Sequence, residues 1–271
     1  MNYITNSVLD HGMGSRVLKT ILLMGYTNHL SDTEFIYTPL TYEADGINFN
    51  TNQLKLYNPT KVINQREEYL EVCNRWENML GFNGLTIKDI DRSQAKVLTH
   101  PEIPTRSEEF QQQFNIKTIV DIKNKFTLPE KVKKEYIDVA IHIRRGDVSP
   151  APWSADRWLD DEYYLGIIKD IEDTLGDKCE ITIYTQRGNF NHKPYRKYKI
   201  IYDNESLDND IWVKLVNADI LVMGLSSFSY SAALLSIGLC IYPPRHISLC
   251  GPKICDDWVL PTGLKEKLKE L

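Results

Sequence analysis

Hydrophobic residues in the second half of the chain fall into short runs that alternate with segments of helical spacing. Val139–Ile143 is an apolar run of strand length, and residues 161–175 place apolar side chains three and four positions apart, as one face of a helix requires. Further strands are predicted at 180–185, 200–202, 219–223 and 239–242, and further helices at 211–217 and 228–237. Because strands and helices alternate strictly, we expect parallel β-α-β units with right-handed crossovers.

The first half shows a similar but less regular alternation. A strand is expected at 2–9, a glycine turn at 10–14 and a helix at 15–24, followed by a second strand at 35–39 and a second helix at 65–80. The next segment is polar, punctuated by prolines and dominated by helical patterns, and it extends to Lys134. We therefore predict an α/β fold with two Rossmann-like domains, 1–133 and 134–271, whose last helix packs back on the first domain.

Composition narrows the class of protein. The chain has 271 residues, of which 25% are charged and 42% hydrophobic, which is typical of folded domains. The net charge of −5 argues against a general nucleic-acid-binding protein, which is usually basic. No apolar run reaches membrane-spanning length, and the first residues lack a signal-peptide pattern, so we expect a cytoplasmic protein without membrane insertion.

The five cysteines are odd in number and scattered along the chain. Cys250 and Cys255 could form one bridge or half of a zinc site, but no second pair of ligands accompanies them. Buried or free thiols are the expected state, which fits a reducing compartment.

Two adjacent arginines follow the strand at 139–143. Residues two apart share a face of a strand, so His142 and Arg144 lie on one face, and Arg145 begins the turn. Buried guanidiniums need anionic partners, and Asp147 can serve only one of them, which leaves about one positive charge for a ligand such as a diphosphate. The alternative is a charged surface turn or an internal Arg–Asp ion pair.

Two other turns suit an anion. Ser226 or Ser227 can cap a helix that follows a strand, directly before Phe228, and the first N–H groups of such a helix bind anions. The first glycine turn, with His11, Gly12 and Gly14, would let a ligand approach the backbone closely. An ordinary helix cap and a plain βα turn are the corresponding structural alternatives.

The segment His142-Ile143-Arg144-Arg145-Gly146-Asp147 resembles the His-x-Arg-Arg-x-Asp motif of the fucosyltransferase superfamily, most closely its α1,2 group. Residues 217–230 resemble that group's late serine-containing motif, and Asp161-Glu162-Tyr163-Tyr164 resembles the start of the helix after the arginine loop. The likeness extends over about residues 137–245 and is thin before them.

The resemblance implies a GT-B-like fold, two Rossmann-like domains facing a central cleft, with the acceptor on the first domain and a nucleotide sugar on the second. It implies an inverting transfer that requires no metal and no cofactor beyond the donor substrate. Arg144 would contact the β-phosphate, Arg145 would support the donor or the loop, and Asp147 would hold an arginine. His142 would orient a phosphate or hydroxyl, or hold the strand in register. The expected donor-binding set is completed by Ser226, Ser227, Phe228, His11, Gly12 and Gly14.

Departures from the family pattern leave the donor open. Thr185-Gln186-Arg187 stands where the family often has an acidic pair that helps to seat the nucleobase, and Tyr230-Ser231 stands where the α1,2 group tends to have two tryptophans. GDP-fucose is the leading donor and UDP-xylose an alternative; the expected partners are this donor and a glycan acceptor, with no nucleic acid. A non-catalytic sugar- or nucleotide-binding module is the alternative from another class.

The catalytic base and a metal site are not identified by the sequence. Asp147, Asp156, Asp160 and Asp161 are acidic candidates for the base, although Asp147 is expected to hold an arginine and Asp161 to cap its helix. Asp89-Ile90-Asp91 and Asp208-Asn209-Asp210 have the spacing of a metal-binding Asp-x-Asp element, but neither follows a convincing strand. We expect both to be solvated charges.

Overall fold

The chain forms two compact units, Met1–Pro129 and Glu130–Leu271. The computed structural model describes residues 2–6, 12–40, 66–87, 89–90, 95–98, 116–203, 209–244, 255 and 258–271. The sequence-based boundary lay four residues later, at 133/134. The roles assigned to the two halves stay predictions.

The described part of the first unit contains a three-stranded parallel sheet and three helices. The sheet has the order β2-β1-β3. Its strands are β1 (Asn2–Asn6), β2 (Thr33–Phe35) and β3 (Ala95–Leu98), and its helices are α1 (Met13–Thr27), α2 (Arg66–Leu80) and α3 (Ile116–Lys123). Helix α1 is the centre of this unit, since nearly all of its residues are buried.

The strand predicted at 35–39 is largely wrong. The strand ends at Phe35, although the Ile36 N–H still donates to the Ile4 carbonyl at 2.9 Å. The Tyr37 N–H turns away and donates to the Leu85 carbonyl at 2.9 Å, so the backbone here leaves β1. Strand β3 was not predicted, because its short sequence alternates too little to stand out.

The second unit is a five-stranded sheet in which every pair of neighbours is parallel, in the order β6-β5-β4-β7-β8. The strands are β4 (Ile137–Ile143), β5 (Cys179–Thr185), β6 (Lys199–Tyr202), β7 (Ile220–Val222) and β8 (Leu239–Ile241). The helices are α4 (Asp161–Leu175), α5 (Asn209–Asn217), α6 (Ser227–Leu235) and α7 (Leu264–Leu268). Both units are thus α/β with parallel sheets, as predicted for a GT-B-like chain.

Strand β4 lies in the middle of this sheet and is the first of its strands in the chain. Its last five residues, 139–143, are all buried, as the continuous apolar run predicted. The chain adds β5 and β6 on one side of β4 and then crosses to add β7 and β8 on the other. The strand order therefore reverses between β4 and β7, which is the doubly wound order of nucleotide-binding folds.

The last helix, α7, packs on α4 within the second unit. Leu264 and Leu268 are buried, and Lys265 Nζ lies 3.1 Å from Asp170 Oδ1. Helix α7 thus packs on α4 of the second unit. Its expected packing on the first unit stays a prediction.

Candidate functional site

The carboxyl ends of β4 and β7 meet where the strand order reverses, which is the place where open parallel sheets bind ligands. Gly224, just after β7, allows the loop that follows β7 to lie close to the end of β4. A Cβ atom at Gly224 would lie 2.7 Å from the His142 carbonyl oxygen and 3.2 Å from the Tyr164 hydroxyl. Any larger residue would push the two loops apart.

Arg144 bridges these two loops. Its Nε donates to Asp147 Oδ1 at 3.2 Å and its Nη2 to Asp147 Oδ2 at 2.6 Å, a two-point ion pair. Its Nη1 donates to Ser226 Oγ at 3.2 Å. These contacts use three of the five N–H groups of a guanidinium, and within the described residues the other two have no protein acceptor. With 19% of its side chain exposed, Arg144 is held in place and still accessible.

Ser226 caps helix α6, as the sequence predicted for Ser226 or Ser227. The Ser226 backbone is extended, and its Oγ accepts from the Phe228 N–H at 3.3 Å. The same oxygen accepts from Arg144, so one hydroxyl joins the arginine to the helix N-terminus. The first turn of α6 contains no acidic residue, and Ser227 in that turn is partly exposed. This end of α6 therefore favours an anion.

Arg145 is buried inside the loop, with 0% exposure. Its Nη1 donates to the Arg144 carbonyl at 2.9 Å, and its Nη2 donates to Asp161 Oδ1 at 2.9 Å and to the Leu159 carbonyl at 3.1 Å. Its guanidinium lies 3.7 Å from the centroid of the Trp158 ring. Of the two roles expected for Arg145, the structure therefore favours support of the loop over contact with a donor.

Asp161 does not cap α4, contrary to expectation. Asp160 occupies the N-cap position, and the carboxylate of Asp161 instead accepts from Arg145 and from the Tyr195 hydroxyl at 3.0 Å. From the sequence, Asp147 was the only carboxylate expected to pair with an arginine, which left one arginine without an internal partner. This expectation is wrong, because Asp161, 16 residues after Arg145, pairs with Arg145.

Arg157 is a site residue that the sequence analysis did not identify. Its Nη1 lies 3.6 Å from Asp147 Oδ2, and 34% of its side chain is exposed. Arg157 Nε also lies 4.0 Å from Oδ1 of Asp156, a carboxylate that is 71% exposed and largely solvated. Three guanidiniums thus contact three carboxylates, those of Asp147, Asp156 and Asp161. The positive charge expected to be uncommitted is therefore balanced among these side chains.

His142 is an interior residue with 4% exposure. Its ring packs 5.6 Å from the ring of Phe228, and its Nδ1 is buried without a hydrogen-bond partner among the described residues. Burial, and secondarily the charge of Arg144, lower the pKa of His142 to about 3, so the imidazole is neutral near pH 7. Its position therefore favours packing between β4 and α6 over contact with a ligand.

The residues of the first glycine turn belong to the first unit. Gly12 precedes α1, and its carbonyl accepts from the N–H groups of Ser15 and Arg16 at 2.9 and 3.2 Å. A Cβ atom at Gly12 would meet no atom of the described part of the chain within 4 Å. Gly14 is buried in the first turn of α1. His11 lies outside the described residues.

Two further searches concern metals and membranes. In the described ranges no three or more His, Cys, Asp or Glu side chains come together as a metal site. Asp91, Asp208 and Cys250 lie outside those ranges. Across the same part of the chain, every helix is too short or too polar to cross a bilayer.

No protein-family model and no curated protein matches this chain. Among solved structures it is similar to "E. coli heptosyltransferase WaaC with ADP", at 9% identity and a TM-score of 0.44, over 100% of this chain and 99% of that one. A second is E. coli ADP-heptose lps heptosyltransferase II, at 10% identity and a TM-score of 0.39, over 96% and 90%. A third, from E. coli and bound with UDP-2-fluoro glucose, has 10% identity and a TM-score of 0.30 over 94% and 68%. Similarities this low do not assign the chain to a family.

Proposed function

We propose that the chain is a glycosyltransferase that moves a sugar from a nucleotide diphosphate to a hydroxyl of a glycan acceptor. The observation that carries the proposal is the guanidinium of Arg144, held by Asp147 and Ser226 where the strand order reverses. Its two remaining N–H groups and the N-terminus of α6 form an anion site built from two separate loops. The resemblance of 142–147 to the His-x-Arg-Arg-x-Asp motif supports the same assignment.

The chemistry follows from where charge develops. When the bond between the sugar and the diphosphate breaks, negative charge accumulates on the β-phosphate. Donors that are already fixed around that phosphate stabilise the transition state more than the ground state. Asp147 fixes the Arg144 guanidinium before the donor arrives, so little reorganisation is needed during the reaction. In this proposal guanidinium and helix N–H groups supply the positive charge, and the transfer is inverting and independent of metal.

GDP-fucose is the leading donor in this proposal, and another nucleotide sugar such as UDP-xylose is the alternative. The ends of β5 and β6 offer an aromatic surface for a base, since the Arg187 guanidinium lies 4.6 Å from the centroid of the Tyr202 ring. Gln186 stands beside it with an amide that can both donate and accept hydrogen bonds. A carboxylate at position 186 would favour guanine, whereas the amide of Gln186 can hydrogen-bond either guanine or uracil.

Thermal-shift measurements with GDP, UDP and ADP test whether the chain binds such donors. A nucleotide at 100 times its Kd stabilises a protein by about 2.7 kcal/mol, which raises the Tm of a domain this size by several degrees. We expect one of the three nucleotides to raise the Tm of the wild type and of a control variant, Arg196→Ala. Arg196 is an exposed arginine just before the edge strand β6. We expect little shift for Arg144→Ala, and equal shifts in both variants would count against the site.

Turnover separates an enzyme from a binding module. With the preferred nucleotide sugar, we expect release of free nucleoside diphosphate, either by transfer to a glycan or by slow hydrolysis. A chain that binds the nucleotide sugar without consuming it, on any glycan tested, would instead be the non-catalytic module.

A further inference from the structure

The loop that follows Asp147 carries an exposed tryptophan. Trp153 is 72% exposed, whereas Trp76, Trp212 and Trp258 are buried and Trp158 is half-buried against Arg145. Leaving most of an indole in water has a hydrophobic cost, and tryptophan is enriched at binding interfaces, where a partner can cover its ring.

Hydrogen bonds hold this loop in one conformation. Ser154 is fully buried, and its Oγ accepts from the Ser149 N–H at 2.9 Å and donates to the Ser149 carbonyl at 2.9 Å. The Ser154 N–H donates to the Ala151 carbonyl at 3.0 Å. Pro150 and Pro152 fix two further backbone angles. Trp153 is therefore presented on a closed and stiff loop, so little entropy is lost when a ligand covers it.

The loop is tied to the candidate site at both ends. Asp147 precedes it and pairs with Arg144, and Arg157 ends it and contacts Asp147 at 3.6 Å. Four residues can span at most about 14 Å, so the backbone of Trp153 lies within that distance of the backbone of Arg157. The Val148 carbonyl also accepts from Asn189 Nδ2 at 2.9 Å, which anchors the loop to the segment after β5.

We infer that Trp153 is a stacking platform for a sugar ring of the acceptor, an inference that rests on the proposed function. The C–H face of a sugar ring packs on an aromatic face, while its hydroxyls stay hydrated or bind polar groups. The exposed carboxylate of Asp156, three residues on, offers hydrogen-bond acceptors for such hydroxyls. Arg187 and Tyr202, at the ends of β5 and β6, form the surface proposed above for the nucleobase. The Trp153 loop is anchored beside them through Val148 and Asn189, and we assign it to the sugar.

Iodide quenching of tryptophan fluorescence detects the contact without requiring turnover. Iodide reaches exposed indoles, so Trp153 should give most of the quenchable signal, and Trp153→Phe should remove it. The wild type is first applied to a broad oligosaccharide array. The best-bound oligosaccharide is then titrated against the full-length chain, and we expect it to protect Trp153 from iodide while GDP and UDP do not.

Calorimetry with the same oligosaccharide supplies the affinities. Trp153→Ala should weaken its binding by about tenfold, a typical cost of truncating a tryptophan anchor. Trp153→Phe, which keeps an aromatic face, should lose less. Ile237→Ala is the matched control, because Ile237 is 76% exposed and follows α6 towards the amino end of β8. It should leave sugar affinity unchanged.

The outcomes separate this inference from the proposed function. Unchanged sugar affinity in Trp153→Ala, an array on which no oligosaccharide binds, or a loss confined to nucleotide affinity would each overturn the inference. In each of these cases the proposed function is judged separately, by nucleotide binding. It is retained if Trp153→Ala still binds the nucleotide and Arg144→Ala does not. Sugar protection of Trp153 without any nucleotide binding would remove the proposed function and, with it, the assignment of the bound sugar as an acceptor.

Discussion

At the scale of single residues, Arg144 and Arg145 are neighbours in sequence with opposite environments. The side chain of Arg144 is 19% exposed and that of Arg145 is 1% exposed. The alternation of a strand explains the difference only in part, since both residues follow the last residue of β4. The contact with Asp161 and the stack on Trp158 decide that Arg145 points inward. The sequence indicated a pair of functional arginines, whereas the structure divides them into one accessible and one structural residue.

Replacing Arg145 by alanine should destabilise the fold. Removing one partner of a fully buried ion pair typically costs about 3–5 kcal/mol, and the loss here should lie at or below the lower end of that range, because the Asp161 side chain is 25% exposed. Urea unfolding monitored by circular dichroism measures the loss. The exposed Arg196→Ala should stay within about 0.5 kcal/mol of wild type. An Arg145→Ala variant as stable as wild type would show that the buried network is not what holds the loop.

His142 should not titrate in the physiological range. Its folded-state pKa, lowered to about 3 by burial and then by Arg144, lies well below the unfolded value of 6.5. The unfolded chain therefore binds more protons below pH 6.5, and His142 lowers stability as the pH falls from 6.5 towards 3, with a slope of at most about 1.4 kcal/mol per pH unit.

Histidine NMR spectra from pH 8 to pH 5, with His142→Gln to assign the signal, check this expectation. The His142 resonances should stay constant, and His142→Gln should flatten the acid side of the stability profile. A titration midpoint near 6 would mean that the imidazole is accessible to water and available for proton transfer.

Among the helices and strands, the pattern of hydrophobic residues predicted α4 well and the short strands at the sheet edges poorly. Helix α4 has the predicted bounds because its apolar stripe is entirely buried and Gly176, with a φ of +53°, ends it. Strand β3 and the true extent of β2 were missed, since short strands of mixed polarity carry little periodic signal. Arg157 was missed for a related reason, because no local pattern shows which residue of a 3₁₀ turn folds back on Asp147.

The approach of the loop after β7 to the end of β4 depends on Gly224. An alanine there would place its Cβ 2.7 Å from a backbone oxygen of His142, so the loop must shift and Ser226 should move away from Arg144. We expect a loss of about 1–3 kcal/mol in unfolding free energy and a weaker response to nucleotide in thermal-shift assays.

Gly166→Ala is the matched control for this change. Gly166 lies within α4, and a Cβ atom there would contact nothing within 4 Å. Alanine in an exposed helical position should raise stability by up to about 1 kcal/mol. If Gly224→Ala behaves like Gly166→Ala, the close approach of the two loops is not required.

Across the whole molecule, the strict alternation of strands and helices predicted a parallel sheet in the second half, and a less regular alternation was found in the first half. The alternation did not predict the strand order, because many orders satisfy the same alternation. The order β6-β5-β4-β7-β8 is what brings Arg144 and Ser226, 82 residues apart, to one point. Each motif was visible in the sequence, and the family resemblance assigned both to one donor site. The alternation of strands and helices alone did not show that they meet.

The proposed catalysis by guanidinium and helix N–H groups carries a prediction about metals. Turnover of the preferred nucleotide sugar should be unchanged after incubation with EDTA, since a positive charge that belongs to the protein cannot be chelated. The rate with and without added Mn²⁺ or Mg²⁺ checks this. An absolute requirement for either ion would assign the charge on the departing phosphate to the metal instead.

Arg144 is proposed to bind the β-phosphate, so its replacement should affect nucleoside diphosphates and monophosphates differently. Calorimetry compares the nucleoside diphosphate and monophosphate of the preferred base, for the wild type and for Arg144→Ala. We predict that the variant loses about tenfold to a hundredfold in diphosphate affinity, as one charge-assisted contact would supply, and almost nothing in monophosphate affinity. Equal losses for both nucleotides, or no loss for either in a folded Arg144→Ala protein, would contradict the account.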